Sequence, residues 1–112
     1  MHTILHYSPG QIATITISVF EPSTGILTDG YDVPSITKVV MPSLASAAGF
    51  PQDMTVVSTG VYQYKFQLPS GASAVGSYVV IVEYTEPDAT VKNEVVELNV
   101  NAPFANFSVS PG

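Results

Sequence analysis

The stretch TGVYQYKFQLPSGASAVGSYVVIVEY, residues 59–84, decides the fold of this chain. In its first half, large apolar and polar side chains alternate, which predicts a half-buried β-strand over residues 61–68. The apolar face of that strand consists of Tyr62, Tyr64, Phe66 and Leu68. A Gly- and Ser-rich corner follows at residues 69–76, and the nearly all-apolar run 77–84 predicts a central strand covered on both faces. We expect the four large side chains of the first strand to point together into the gap between two sheets and to form the centre of the core.

The same strand signals continue on both sides of this stretch. Short segments rich in Val, Ile and Thr are separated by Gly and Pro turn signals. Residues 11–20 alternate strictly, with the apolar positions from Ala13 to Val19 on one face. Further strands are predicted at residues 3–7, 35–41, 54–57 and 91–100, with a short segment beginning at Ile26 and a loop or single helical turn at 43–53. The pattern is typical of an all-β, antiparallel sandwich of seven to eight strands over residues 1–100.

Length, charge and composition restrict the class of protein. The chain has 112 residues, which suits one domain. Three lysines against nine acidic residues give a net charge of −6, so no basic stripe exists for nucleic acid or for an anionic membrane surface. No apolar run approaches the roughly 20 residues that span a bilayer. Charged residues are only 11% of the chain, which favours a surface that is largely covered by protein neighbours in the working state. The alternative is a simple β domain whose surface carries little charge.

Residue types that carry chemistry occur, but not in catalytic patterns. His2 and His6 lie on a predicted strand, about 13 Å apart, too far to share one metal ion. The loop acids could be calcium ligands but lack a regular calcium-loop spacing, so solvated carboxylates are the default interpretation. These acids are Asp29, Asp32, Asp53, Glu86 and Asp88. With no cysteine, no G-x-S-x-G and no phosphate loop, we expect no enzyme activity, metal or cofactor.

The tyrosines are expected to fall into two groups. Tyr62, Tyr64 and Tyr78 are predicted core residues, and one of their hydroxyls is expected to bond the backbone at the corner. Tyr31 follows Gly30 in a predicted loop, and aromatic side chains are enriched at protein interfaces. Tyr31 is therefore a candidate contact residue.

Residues 101–112, NAPFANFSVSPG, differ from the rest of the chain because they are uncharged and combine apolar residues with two prolines. We expect an arm that docks on a neighbour through Phe104, Phe107 and Val109. The alternative is a chain end that frays or folds back on its own domain.

Two stretches, residues 59–84 and 7–25, resemble bacterial immunoglobulin-like and macroglobulin-type sandwich domains. The resemblance is carried by Tyr7, Pro9, Gly10, Ile15, Ile17, Val19, Gly25, Gly60, Tyr62, Phe66, Leu68, Pro69, Gly76, Tyr78, Val80 and Val82. It implies an immunoglobulin-like fold without catalytic residues. The chain departs from antibody-type domains because it has neither cysteine nor tryptophan.

A chain of this kind that starts at its own Met is similar in kind to accessory proteins of tailed-bacteriophage particles. The amino terminus lacks the basic and apolar regions of a signal peptide, which indicates a protein used without export or part of a longer exported protein. The first hypothesis is a non-enzymatic virion protein, a capsid decoration or cement protein or a small tail component, assembled in the host cytoplasm. Its partners would be a coat or tail lattice and copies of itself. The alternatives are a spacer or adhesive module of a bacterial cell-surface protein and a carbohydrate-binding module, which would need an exposed aromatic platform.

Overall fold

A computed structural model describes residues 2–71 and 74–101 of the chain. The described residues form eight strands: β1 (His2–Tyr7), β2 (Ile12–Ser18), β3 (Ser35–Val40), β4 (Gln52–Asp53), β5 (Thr55–Ser58), β6 (Val61–Gln67), β7 (Gly76–Thr85) and β8 (Val91–Val100). The predicted all-β class and strand number are confirmed. The predicted arm anchors Phe104, Phe107 and Val109 lie outside the described residues.

The strands form two sheets, one of five strands in the order β1-β8-β7-β3-β4 and one of three strands in the order β2-β6-β5. The sheets divide the strands as in an immunoglobulin-like sandwich, with β2, β6 and β5 in one sheet and β8, β7 and β3 in the other. Every pairing is antiparallel except one, because β1 runs parallel to β8. The first and last strands share no hairpin, so packing rather than a turn sets their relative direction. The expectation of an antiparallel sandwich therefore holds for every strand pair but this one.

The core lies between the sheets, where the alternating faces predicted it. Tyr62 and Leu68 of the deciding stretch are buried, while Tyr64 and Phe66 are half-buried and pack against the core. The ring of Phe50 lies 5.9 Å from that of Tyr64 and 6.2 Å from that of Phe66. The apolar face of β2 is buried as well. Burying each large apolar side chain stabilises the fold by about 1.5–3 kcal/mol.

Strand β7 is central, as predicted, but it is not covered on both faces within the described residues. Its inner side chains Tyr78, Val80 and Val82 are buried. On the outer face, Ser77 and Glu83 are exposed and the apolar side chains between them are only half-buried. An apolar run in a strand does not require two covered faces, since its side chains alternate between core and outer surface.

The segment 43–53 contains no helix and follows β3 closely as a loop. The amide of Ala47 donates to the carbonyl of Val39 at 2.8 Å, and residues Gln52–Asp53 then pair with β3 as the short edge strand β4.

Across residues 2–71 and 74–101, no helix has the length and apolar character that crossing a membrane requires.

The predicted bond between a tyrosine and the corner is made by Tyr78. Its hydroxyl donates to the carbonyl oxygen of Ala74 at 3.0 Å, in a buried position. Burial also raises the pKa of Tyr78 above its ordinary value, because the phenolate is poorly solvated there. The bond fixes the corner between β6 and β7.

Replacing Tyr78 by Phe is expected to lower the free energy of unfolding by about 1–2 kcal/mol, because the buried carbonyl of Ala74 loses its donor. The folded state holds the Tyr78 proton more tightly than the unfolded state. The contribution of Tyr78 to the free energy of unfolding is therefore fully present below pH about 10 and is lost as the pH rises through the folded-state pKa. Urea unfolding at neutral and alkaline pH measures both effects, and the variant should lose part of the alkaline decline.

Candidate interaction surface

One end of the sandwich gathers the loop between β2 and β3, the turn at residues 59–60 and the hairpin loop between β7 and β8. The first loop opens with a small hairpin, in which Phe20 bridges Leu27 and the amide of Glu21 donates to the carbonyl of Ile26 at 2.9 Å. Gly25 closes its turn at a φ of 71°, a value that glycine adopts readily.

Gly60 ties the first loop to the turn. Its carbonyl accepts from the amide of Val19 at 2.8 Å, and its amide donates to Oδ1 of Asp29 at 2.8 Å. The amide of Thr28 in turn donates to the carbonyl of Val19 at 3.0 Å. Both polar groups of this buried glycine are therefore bonded to the loop.

The backbone at Tyr31, the contact residue predicted from sequence, is held by hydrogen bonds to both sheets. The amide of Gly30 donates to the hydroxyl of Tyr62 at 3.0 Å. The amide of Tyr31 donates to the carbonyl of Thr85 at 3.1 Å. The Tyr31 side chain itself is 66% exposed, so a fixed backbone presents an exposed aromatic ring.

The hairpin loop at residues 86–90 is closed by its own bonds. The amide of Glu86 donates to the carbonyl of Thr90, and the amide of Ala89 donates to the carbonyl of Glu86, both at 2.8 Å. The amide of Thr90 donates to Oδ1 of Asp88 at 3.0 Å. Hydrogen bonds from Thr90 lower the pKa of Asp88, so its carboxylate stays charged to lower pH than usual.

Half of the large apolar side chains that are exposed in the described residues lie on these loops or at the first residue of β8, and we call this group the loop surface. Its members are Phe20, Ile26, Leu27, Tyr31, Val33 and Val91. Their exposed fractions range from 40% for Leu27 to 66% for Tyr31. Large apolar groups held open to solvent on bonded loops are typical of protein-contact sites.

Acidic side chains surround the loop surface. Five carboxylates lie on the same loops: Glu21, Asp29, Asp32, Glu86 and Asp88. The nearby cation is Lys92, whose charge contributes to the low pKa of Asp88. The loop surface therefore combines apolar contact area with a negative field.

Replacing Asp29 by Ala is expected to lower the free energy of unfolding by about 1–2 kcal/mol, because the amide of Gly60 loses its acceptor. Asp29→Asn keeps an acceptor oxygen and should lose less. Thermal unfolding of the two variants checks the difference, and equal losses would show that the bond contributes nothing beyond the charge.

The exposed apolar residues around Tyr31 were not predicted from sequence, although the alternation of side chains along a strand carries a signal for some of them. Phe20 directly follows Val19, the last apolar residue of an alternating face. Val91 lies at odd spacing from the buried face of β8. Neighbouring strand positions point to opposite sides, so Phe20 and Val91 are expected to face solvent. Ile26 and Leu27 are both exposed although they are adjacent, because they lie in a turn-rich loop outside the strands.

Other side-chain groups of the described residues offer less. Among them, no three His, Asp or Glu residues lie close enough to hold a metal ion. A cleft of about 190 Å³ between β1 and β2 contains Glu94, and one of about 500 Å³ beside β4 contains Asp53 and Lys65. Neither lining includes a histidine or a second carboxylate.

Comparison with known proteins adds only distant structural likeness. No protein-family model matches the sequence, and no curated protein is detectably similar. Among solved structures, the chain is similar to the crystal structure of the ZIG-8 IG1 homodimer, with 17% identity over 91% of this chain and 81% of that chain, and a TM-score of 0.45. A likeness this distant supports no statement about partners. The strand order itself establishes the immunoglobulin-like sandwich, and a fold specifies no activity.

Proposed function

We propose that this domain is a non-enzymatic structural protein that acts by protein–protein contact, as an accessory protein of a tailed-phage particle. Capsid decoration, capsid cement or a small tail position are the roles in question. The observation that carries the contact function is the loop surface, with its exposed apolar side chains on hydrogen-bonded loops. Such loops lose little conformational entropy on binding, so more of the apolar contact energy appears as affinity.

The partner of the loop surface should be an apolar patch bordered by Lys or Arg. The loops carry five carboxylates with Lys92 nearby, so a basic rim is electrostatically complementary. A specific interface needs at least about 1,000 Å² of buried area. In a lattice, many copies bind at once, so each contact can be modest and the assembly still holds.

The second proposed contact is the arm, residues 101–112. At its start, the amide of Asn101 donates to the carbonyl of Tyr7 at 3.0 Å, at the opposite end of β8 from Val91. A ten-residue strand is about 30 Å long, so the arm leaves the domain far from the loop surface. Contacts through the loop surface and through the arm's own side chains would let one copy bridge two neighbours.

Deleting residues 102–112 is expected to weaken binding to the parent particle by about tenfold or more while the melting temperature stays nearly unchanged. The deletion removes three large apolar side chains, and tenfold corresponds to about 1.4 kcal/mol. Full-length Phe104→Ser/Phe107→Ser/Val109→Ser is the control that keeps chain length. Unimpaired binding of both variants would remove the arm from the proposal.

The phage assignment is tested by gene context and particle composition. Neighbouring genes for coat, portal and terminase proteins are expected. Density-purified particles should contain the chain in a fixed ratio to coat protein, measured by quantitative mass spectrometry. Particles without it would overturn the virion assignment.

The alternative is a spacer or adhesive module of a larger bacterial surface protein, located at the cell surface. The resemblance of residues 7–25 and 59–84 to bacterial immunoglobulin-like domains favours it. It predicts tandem sandwich domains in one long reading frame and detection of the chain in cell-envelope fractions.

A further inference from the structure

A cleft opens along one side of the sandwich, where the two sheets end at β1 and β2. Each of these strands is the last of its sheet, β1 of the five-stranded sheet and β2 of the three-stranded sheet. Four consecutive residues of β2, numbers 14–17, line this cleft of about 190 Å³, and Leu5 of β1 and Val96 of β8 contribute to its lining from the other sheet. The cleft therefore follows the outer edge of β2 and opens onto apolar side chains between the sheets.

Hydrogen bonds just beyond each end of β2 show which backbone groups face the cleft. The amide of Leu68 donates to the carbonyl of Gln11 at 3.0 Å, and the amide of Val19 donates to the carbonyl of Gly60 at 2.8 Å. In this antiparallel register, the odd-numbered residues therefore direct their amides and carbonyls toward β6. The even-numbered residues direct theirs toward the outer edge.

One part of this edge is bonded and the next part is not. The hydroxyl of Tyr7 accepts from the amide of Thr14 at 3.0 Å and donates to its carbonyl at 3.4 Å. Among the described residues, nothing bonds the outward backbone groups of Thr16 and Ser18. The open part of the edge thus begins beyond Thr14, on the side away from Ile12.

Apart from β1, which borders the same cleft, the other edges of the described sheets are short or irregular. Strand β4 has two residues, and the pairing of β5 with β6 shifts register between Val56 and Ser58. Short strands and bulges are the usual protection of a sheet edge against further pairing. Strand β2 has neither feature, because its seven residues pair with β6 without a shift. It is an edge to which an extended segment can add.

The sequence of the arm contains a segment with the pattern of such a strand. Between the two prolines of the arm, residues 105–110 read ANFSVS, so Ala105, Phe107 and Val109 alternate with polar residues. Strand β2 has the same alternation over residues 13–18, ATITIS. A strand of this pattern beside β2 places its apolar row in the cleft and its polar row toward solvent.

The arm of a second copy suits this edge better than the chain's own arm. The arm begins where the amide of Asn101 bonds to the carbonyl of Tyr7, at the end of the cleft that the Tyr7 hydroxyl spans. Pro103 restricts Ala102 to extended backbone, so the sequence favours an arm that continues the direction of β8 away from its own domain. An arm that turned back would run parallel to β2, whereas one from a second copy can pair in the more stable antiparallel direction.

We infer that the arm of one copy adds as a strand to the edge of β2 in a second copy, with Phe107 and Val109 in the cleft between β1 and β2. The inference rests on the proposed contact role of the arm and names its partner as a copy of this chain. Because the arm and the edge are different surfaces, a copy that has donated its arm still offers its own edge to a third copy.

The experiment is sedimentation equilibrium of the purified full chain, at concentrations up to the millimolar range. About 0.15 M salt screens the repulsion between copies of net charge −6. Wild type should associate reversibly as the concentration rises. The variant F107S/S108F keeps the length and composition of the arm but moves its aromatic ring to the opposite face of the strand, so it should weaken association by about tenfold or more.

Two substitutions at one residue test the edge of β2. Thr16→Pro removes the amide that the added strand requires, at an edge position where proline is tolerated because the amide faces away from β6. It should weaken association by about tenfold or more. Thr16→Ala is the matched control, since it changes the side chain but keeps the amide, and it should associate like wild type. Thermal unfolding checks that each variant folds, and F107S/S108F, outside the two sheets, tests the inference even if Thr16→Pro unfolds.

Three results would overturn the inference. The first is a wild-type chain that stays monomeric throughout, and a monomer whose melting temperature F107S/S108F lowers would place the arm on its own domain. The second is association that F107S/S108F leaves unchanged, because apolar area alone would then explain it. The third is equal weakening by Thr16→Ala and Thr16→Pro. If the chain is monomeric but deletion of residues 102–112 still weakens binding to the parent particle, the proposed function stands and only the partner of the arm is wrong.

Discussion

Replacing Gly60 by Ala is expected to lower the free energy of unfolding by about 3 kcal/mol. The residue has a φ of 73°, where a side chain costs about 1–2 kcal/mol. A Cβ there would lie 2.8 Å from the Thr28 nitrogen and 2.9 Å from the Val19 carbonyl oxygen. Both neighbours are backbone atoms of the loop bonded to Gly60, so relief requires moving that loop, at a further cost of about 1–3 kcal/mol.

Gly25→Ala is the matched control for this prediction. Gly25 has nearly the same φ, 71°, but a Cβ there would meet nothing within 4 Å. The Gly25→Ala variant should lose only the free energy of unfolding that the positive φ costs a side chain, about 1–2 kcal/mol. Urea unfolding of both variants measures the difference, and equal losses would show that the close approach of the loop to Gly60 does not contribute.

The second large effect concerns binding. The double variant Ile26→Ser/Tyr31→Ser is expected to weaken binding to the parent particle by on the order of a hundredfold, since truncating a contact hot spot typically costs 2 kcal/mol or more. Both side chains are more than 60% exposed, so the free energy of unfolding should change by less than about 0.5 kcal/mol. Titration of labelled domain onto particles lacking it provides the measurement.

Ile12→Ser/Leu44→Ser is the control for that variant. These side chains are 54% and 85% exposed and lie away from the loop surface. The control removes comparable apolar area without touching the loops, so its binding should match wild type. If both double variants lose affinity equally, non-specific contact between exposed apolar side chains and the particle explains the binding, and the loop surface does not.

Much of the fold follows from local alternation in the sequence. The strands β2, β6 and β8 each show a clean period of two, and their buried faces are the predicted ones. Tyr64 and Phe66 face the core as predicted but stay half-buried, since they lie toward the edge of the core beside Phe50. Side-chain direction is a local property, whereas the degree of burial depends on what packs above it.

Features that depend on distant pairing could not be predicted. The parallel pairing of β1 with β8 joins the first and last strands of the domain, and no turn signal in the sequence predicts it. In strand β3, the register of pairing shifts between Ile36 and Lys38, and this β-bulge arises only when β3 pairs with β7. The half-buried outer face of β7 also depends on distant packing. An apolar run in the sequence is compatible with a strand that is covered on one face or on both faces, so it could not predict this outcome.

Of the loop surface, the sequence names only Tyr31 as a candidate contact residue, because an aromatic beside a loop glycine is a recognisable signal, and its contact role remains a prediction. Its companions come from three separate segments, at Phe20, Ile26–Leu27 and Val91, that meet only through hydrogen bonds around Gly60 and Thr85. Loop convergence of this kind is a tertiary property. The arm anchors Phe104, Phe107 and Val109 remain predictions.

The most direct test of the contact function is hydroxyl-radical footprinting of the domain, free and bound in its native assembly. Radical labelling reports solvent access to single side chains, and exposed residues at both ends provide an internal comparison. We expect Ile26 and Tyr31 to lose most of their labelling on assembly, while Ile12 and Leu44, which are exposed in the free domain, keep theirs. Undiminished labelling of Ile26 and Tyr31 in the assembly would contradict a working role for the loop surface.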